Sequence, residues 1–133
     1  MAADRYNERA DVARRILELS DTIDEAIDYM LSEIENMHEE IGVYAAMLKE
    51  VGEGLISLDN ASTAISGPMG ADPETVSRLA ISFDDMCIHL DAMADACLED
   101  RISDLPGYGK KLRESFTVYS HDLTLCFRSS AVM

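Results

Sequence analysis

The chain has 133 residues, and its 26 acidic side chains against 11 basic ones give a formal net charge of −15. This length suits one domain, and the acidic balance argues against nucleic acid and anionic membranes as partners, because both attract clustered lysine and arginine. Hydrophobic residues make up 47% of the chain, which is typical of a folded protein, and no apolar run approaches the roughly 20 residues of a membrane span.

The start of the chain and its cysteines both indicate a reducing compartment. An acidic residue, Asp4, comes early and no apolar stretch follows it, so we expect no secretory signal and a cytoplasmic location. The three cysteines, Cys87, Cys97 and Cys126, include no C-x-x-C pair. This pattern predicts free thiols, and neither a disulfide framework nor a zinc site.

A heptad pattern runs from Ala13 to Ile65, and no proline interrupts residues 4–66. Alternating three- and four-residue spacing of apolar side chains is typical of a coiled-coil seam or a long bundle helix. It predicts one very long first helix over about 4–65, some 90 Å at about 1.5 Å per residue. Its core positions are Ala13, Ile16, Ser20, Ile23, Ile27, Met30, Ile34, Met37, Ile41, Tyr44, Leu48, Val51, Leu55, Leu58, Ser62 and Ile65.

Two places could interrupt this helix. Thr22 and Glu25 match a capping box, at which a second helix could start. Gly52 and Gly54 each weaken a helix by about 1 kcal/mol relative to alanine. The heptad register passes both places unshifted, so continuity with a bend at the glycines is favoured, and a break near Ser20 that makes a four-helix bundle is the alternative.

Two shorter helices are predicted to follow in the same single helical domain, residues 1–133. After a turn at 66–72, Asp72 is a suitable N-cap and Pro73 a suitable first helical residue, which predicts a helix over about 73–104. Its two apolar stripes predict neighbours on two faces. A proline and two glycines predict a turn at 105–109, followed by a helix over about 110–129.

The unequal helix lengths predict a homodimer. The second helix, folded back antiparallel, would cover only half of the first, and the rest of the seam would have no intramolecular partner. Exposed apolar stripes mark interaction sites, and symmetric dimers dominate soluble oligomers. The predicted interface residues are Ile16, Ile23, Ile27, Met30, Ile34 and Met37.

Few side chains suggest chemistry. Glu35 and His38 form one Glu-x-x-His element, whereas a carboxylate-bridged di-iron bundle needs two with further inward glutamates. Asp85 and His89 share a helix face and could begin a metal site, or a histidine could accept a phosphoryl group, but no surrounding motif supports either reading. No catalytic residues, cofactor or metal are predicted.

The charge is uneven along the chain. Residues 106–133 are slightly basic. Lys110, Lys111 and Arg113 lie at the N-terminus of the predicted third helix, where the helix dipole disfavours cations. Antiparallel stacking predicts that they pair with acidic residues closing the second helix, namely Glu99, Asp100 and Asp104.

These patterns predict an all-α, non-enzymatic, acidic interaction protein, acting as an adaptor, regulator or chaperone-like protein. It would self-associate through coiled-coil seams and bind a partner with a basic or apolar helix face. One alternative is a helical bundle with a metal or phosphohistidine site around Glu35, His38, Asp85 and His89. Another is a structural component of a filament or phage assembly, in which a long heptad helix acts as a spacer.

Overall fold

The computed structural model describes residues 2–36, 40–66 and 72–131, and these form helices and connecting turns without strands. The four α-helices are α1 (Ala2–Asn36), α2 (Ile41–Ser66), α3 (Pro73–Leu98) and α4 (Leu105–Ala131), with a short 3-10 turn at Ile102–Asp104 before α4. The all-α prediction is therefore confirmed. No helix in the described part of the chain is both long and apolar enough to cross a bilayer.

Each helix packs antiparallel on the helix before it, and α4 also packs on α1, so the helices close an up-and-down bundle. The Tyr44 hydroxyl of α2 donates to the Glu33 carbonyl of α1 at 3.2 Å, and Gly54 lies against Ile23. Both contacts require α2 to run back along α1.

The single long first helix is wrong, because α1 ends at Asn36 and α2 begins at Ile41. The alternative break near Ser20 is also absent, since Ser20 lies inside α1. Folding back covers the seam within one chain, and burying each large aliphatic side chain stabilises the fold by about 1.5–3 kcal/mol. A continuous helix would leave that stabilisation to a second molecule.

The heptad positions themselves are correctly predicted as the core. Those of α1 and α2 are buried, except for the half-buried Ile41, over the range in which side chains are described. They meet an aromatic layer from α4. The largest fully buried side chains include Ile27, Met30, Ile34, Tyr44, Leu55, Leu58, Met86, Met93, Phe116, Tyr119 and Phe127.

The start of α3 is confirmed and its end is earlier than predicted. The Asp72 carboxylate accepts a hydrogen bond from the Thr75 backbone N–H at 3.3 Å, and Pro73 takes the first helical turn. The helix ends at Leu98, where Asp100 adopts a left-handed φ of 55°. The Arg101 N–H then bonds the Ala96 carbonyl at 2.7 Å, which is the closing bond of a Schellman motif.

The predicted turn at 105–109 is wrong, because these residues form the first turns of α4. Pro106 needs no N–H partner at a helix start. Gly109 is buried where α4 approaches α1 closely: a Cβ built there would lie 2.5 Å from Leu31 Cδ2. The glycine therefore serves interhelical packing.

The predicted pairing of Lys110, Lys111 and Arg113 with the end of α3 is also wrong. Arg113 bonds Asp24 of α1 at 2.6 Å and lies 3.4 Å from Asp28. The acidic residues Glu99 and Asp104 instead form ion pairs with Arg101, at 2.6 and 2.7 Å. The earlier start of α4 moves the basic residues away from the α3 terminus.

Candidate functional groove

A long apolar groove separates α2 from α3. These two helices pack less closely on each other than α4 packs on α1 or on α3. The space between them has a volume of about 490 Å³. Its lining consists of Ile41, Gly42, Ala45, Leu48, Lys49, Gly52, Leu55 and Ile56 of α2, with Phe83, Cys87, Leu90, Asp91, Ala94, Cys97 and Leu98 of α3.

The two walls match in length because the helices run antiparallel. The α2 wall extends from Ile41 to Ile56, and the α3 wall from Phe83 to Leu98. Each spans about 22 Å at about 1.5 Å per residue, which is four helical turns. An extended channel of this length suits a helix better than a compact small molecule.

Large side chains stay exposed along the groove. Ile56 is 54% exposed at one end, and Leu98 is 85% exposed at the other. A single exposed aliphatic residue is ordinary, but two that continue an apolar channel of 15 lining residues form a contiguous patch. The groove is therefore the strongest candidate for an interaction surface on the described part of the chain.

Small residues keep the α2 wall open. An ideal Cβ at Gly42 or at Gly52 would have no atom within 4 Å, so neither glycine is explained by a tight contact inside the chain. A glycine in a helix costs about 1 kcal/mol relative to alanine. What these positions gain is space in the groove, which an approaching backbone or side chain could use.

A polar network borders the groove near Ile56. The Tyr119 hydroxyl of α4 reaches across the core and donates to the Asp59 carboxylate of α2 at 3.0 Å, with the Ser62 hydroxyl 3.5 Å away. Burial raises the pKa of Asp59, the Tyr119 hydrogen bond lowers it, and the nearby Asp84 carboxylate raises it further. Asp59 is thus a partly desolvated carboxylate facing a like charge across the groove.

The cysteines that the sequence predicts as free thiols are free. Cys87 and Cys97 line the groove. Burial raises the pKa of all three thiols, and the carboxylates of Asp91, Asp84 and Asp59 raise the pKa of Cys87 further. A raised thiol pKa lowers the fraction of thiolate, which is the reactive form.

The predicted dimer seam is not free in this structure. Ile16, Ile23 and Ile27 are buried inside the chain, as are Met30 and Ile34, while Met37 lies outside the described residues. The premise that this seam has no intramolecular partner is wrong, because α2 and α4 cover it. A dimer through these side chains would require the bundle to open.

The residues suggested for a metal or phosphohistidine site are not brought together. Glu35 is exposed on α1 beside Lys110 and Arg113 of α4, whereas the exposed Asp85 and the half-buried His89 lie on α3. His38 lies outside the described residues. Over the described ranges, no three His, Cys, Asp or Glu side chains are placed to hold a metal ion.

Sequence reasoning missed the groove. The two apolar stripes of α3 predict neighbours on two faces of that helix, and its residues Cys87, Ala94 and Leu98 line the groove. The glycines of α2 were read as a bend. Neither pattern shows which surfaces stay uncovered until the helices are packed.

No protein-family model matches the chain, and no curated protein or solved structure is significantly similar to it.

Proposed function

We propose that this chain is a non-enzymatic interaction protein that holds the apolar face of a partner helix in the groove between α2 and α3. The observation that carries the proposal is the four-turn apolar channel with exposed Ile56 and Leu98 at its ends. Helix-in-groove recognition uses apolar anchors spaced by one helical turn, and the walls repeat at that spacing. The partner would act as the missing fifth helix of the bundle.

The proposal includes a cytoplasmic location and an adaptor, regulator or chaperone-like role. What supports a reducing compartment is the set of three unpaired cysteines. What supports a role in binding is the groove itself, since an uncovered apolar channel favours association in water.

Self-association remains part of the proposal, but through a surface other than the predicted α1 seam. A homodimer could use the outward apolar residues Ile81 and Ile88 of α3, and it would not use the buried α1 seam. Light scattering at tens of micromolar distinguishes a monomer from a dimer. A dimer that the groove substitution Ile56→Glu dissociates would identify a second copy as the groove's occupant.

The direct test uses a synthetic amphipathic peptide of about 16 residues, enough to span the groove. Leucines on one face and lysines on the other give it one apolar stripe, and a terminal fluorophore reports binding by anisotropy. Ile56→Glu should weaken binding at least about tenfold, because it puts a charge where the peptide must exclude water. Ile88→Glu is the matched control: Ile88 is 62% exposed on α3 and does not line the groove.

The cysteines supply a second readout on the unmodified protein. Bound peptide should slow alkylation of Cys87 and Cys97, which line the groove, and leave Cys126 unchanged because it lies outside the groove lining. Mass spectrometry after a timed iodoacetamide pulse measures all three rates at once. Equal effects of Ile56→Glu and Ile88→Glu, together with uniform thiol protection, would contradict docking in this groove.

A further inference from the structure

We propose that the partner helix is basic, and that its cationic side chains pair with an acidic cluster on the groove rim, formed by Asp59, Asp84 and Asp91. This inference rests on the proposed function and deepens it, because it commits to a basic partner, whereas a second copy of this chain carries a net charge of −15.

The cluster is defined by its position around Cys87. Asp84 and Asp91 are exposed on α3, one turn before and one turn after Cys87, and Asp91 itself lines the groove. Asp59 lies on α2, one turn beyond the groove residue Ile56. The three carboxylates therefore lie along the channel from its Ile56 end to its middle, on both walls.

Electrostatics agree with this placement. The carboxylates of Asp91, Asp84 and Asp59 all act on the Cys87 thiol to raise its pKa, and Asp84 also raises the pKa of Asp59. Groups that perturb one another's ionisation lie within several ångströms. The cluster is thus a region of concentrated negative charge beside an apolar surface.

The cluster is not neutralised within the described part of the chain. Asp59, Asp84 and Asp91 form none of the ion pairs present there, although most arginines with described side chains bond carboxylates elsewhere. Lys49 is the single basic side chain among the groove-lining residues. A partner that brings cations to the rim gains attraction and relieves the mutual repulsion of the carboxylates.

The same charges oppose a second copy of this chain. Two of the exposed apolar residues that one copy could insert, Ile81 and Ile88, stand on α3 next to Asp84, Asp85 and Asp91. Docking them would place carboxylates against carboxylates, between two chains that each carry a net charge of −15. Like charges brought together across an interface cost several kcal/mol, so the rim selects against this arrangement.

The experiment compares two peptides of equal length and identical leucine face, one with lysine and one with glutamate at the flanking positions. At low salt the lysine peptide should bind at least about tenfold more tightly, because the rim carboxylates attract its ammonium groups and repel the carboxylates of the glutamate peptide. Its affinity should fall as sodium chloride is raised. Pairing should also lower the pKa of Asp59, which carboxyl-carbon NMR measures in the complex.

The variant that tests the cluster is Asp84→Asn with Asp91→Asn, which should weaken lysine-peptide binding by about two- to fivefold per carboxylate at low salt. The matched control is Asp21→Asn with Glu25→Gln, which removes the same charge from exposed positions on α1, the helix diagonal to α3. Equal losses in the two double variants would show net charge alone and overturn the inference.

The remaining outcomes separate the inference from the proposed function. If both peptides bind equally and Ile56→Glu still blocks them, the groove function stands and the charge inference fails. If neither peptide binds at any salt concentration, both fail. Tighter binding of the glutamate peptide would point to Lys49 as the recognition charge and overturn the cluster.

Discussion

Gly52→Ala is expected to stabilise the protein while it narrows the groove. Replacing glycine by alanine inside a helix gains about 1 kcal/mol when the new methyl group meets nothing, and the Cβ built at Gly52 has no atom within 4 Å. For a chain of this size that gain raises the melting temperature by about 3–5 °C. The methyl group enters the groove, so the affinity for the amphipathic peptide should fall although the free energy of unfolding rises.

Gly54→Ala is the control in the same helix. A Cβ at Gly54 would lie 3.3 Å from Ile23 Cγ1, in the contact between α2 and α1. The helix-propensity gain is then offset by overpacking, which costs about 1–3 kcal/mol. Gly54→Ala should therefore be neutral or less stable than the parent, with peptide binding unchanged.

Urea unfolding followed by circular dichroism gives both free energies of unfolding, and fluorescence anisotropy gives both affinities. The reasoning is refuted if Gly52→Ala destabilises the fold, or if the two alanines change stability alike. A stabilised Gly52→Ala that binds peptide as tightly as the parent would leave the packing argument intact and count against the groove.

Three further expectations concern stability. Asp100→Gly should stabilise by about 0.5–1 kcal/mol, because glycine adopts the left-handed φ of 55° without strain; a lower melting temperature would contradict the Schellman assignment. Asp59→Asn should be more stable than the parent at pH 7, because burial raises the pKa of the folded carboxyl above its ordinary 3.8 and so makes the charged form unfavourable. Urea unfolding at a series of pH values should show this advantage shrinking as the pH falls through the raised pKa and absent below pH 3.8. Asp122→Ala should destabilise the fold by about 1–3 kcal/mol, because this carboxylate is 6% exposed and bonds Arg78 at 3.3 Å. The control is Glu74→Ala, which removes the exposed partner of Arg78 and should change the free energy of unfolding by less than about 0.5 kcal/mol.

The helix class, the core residues and the α3 start could be read from the sequence because each has a local cause. The heptad spacing puts Ile27 and Leu55 on the inner faces of their helices whatever those faces pack against. Asp72 and Pro73 start a helix through bonds and torsion angles within one turn. Such signals need no knowledge of the neighbouring elements.

The reversal between α1 and α2 could not be read in this way. A heptad pattern is the same for one continuous helix and for two antiparallel helices whose seams face each other, so the register from Ile34 to Tyr44 does not report the direction of the chain. Gly109 misled for a related reason. Its role depends on Leu31, 78 positions earlier in the chain, and the local pattern shows only a possible breaker.

The sequence by itself determined that this protein is helical and acidic, and which stripe of each helix is buried, because periodicity and charge are properties of single elements. Only the tertiary structure decided that the α1 seam is covered within the chain and that the space between α2 and α3 is not. Burial depends on how the elements pack together, and this packing buries the α1 seam but leaves an apolar groove between α2 and α3. The surface offered to a partner is therefore what remains after the chain has packed against itself.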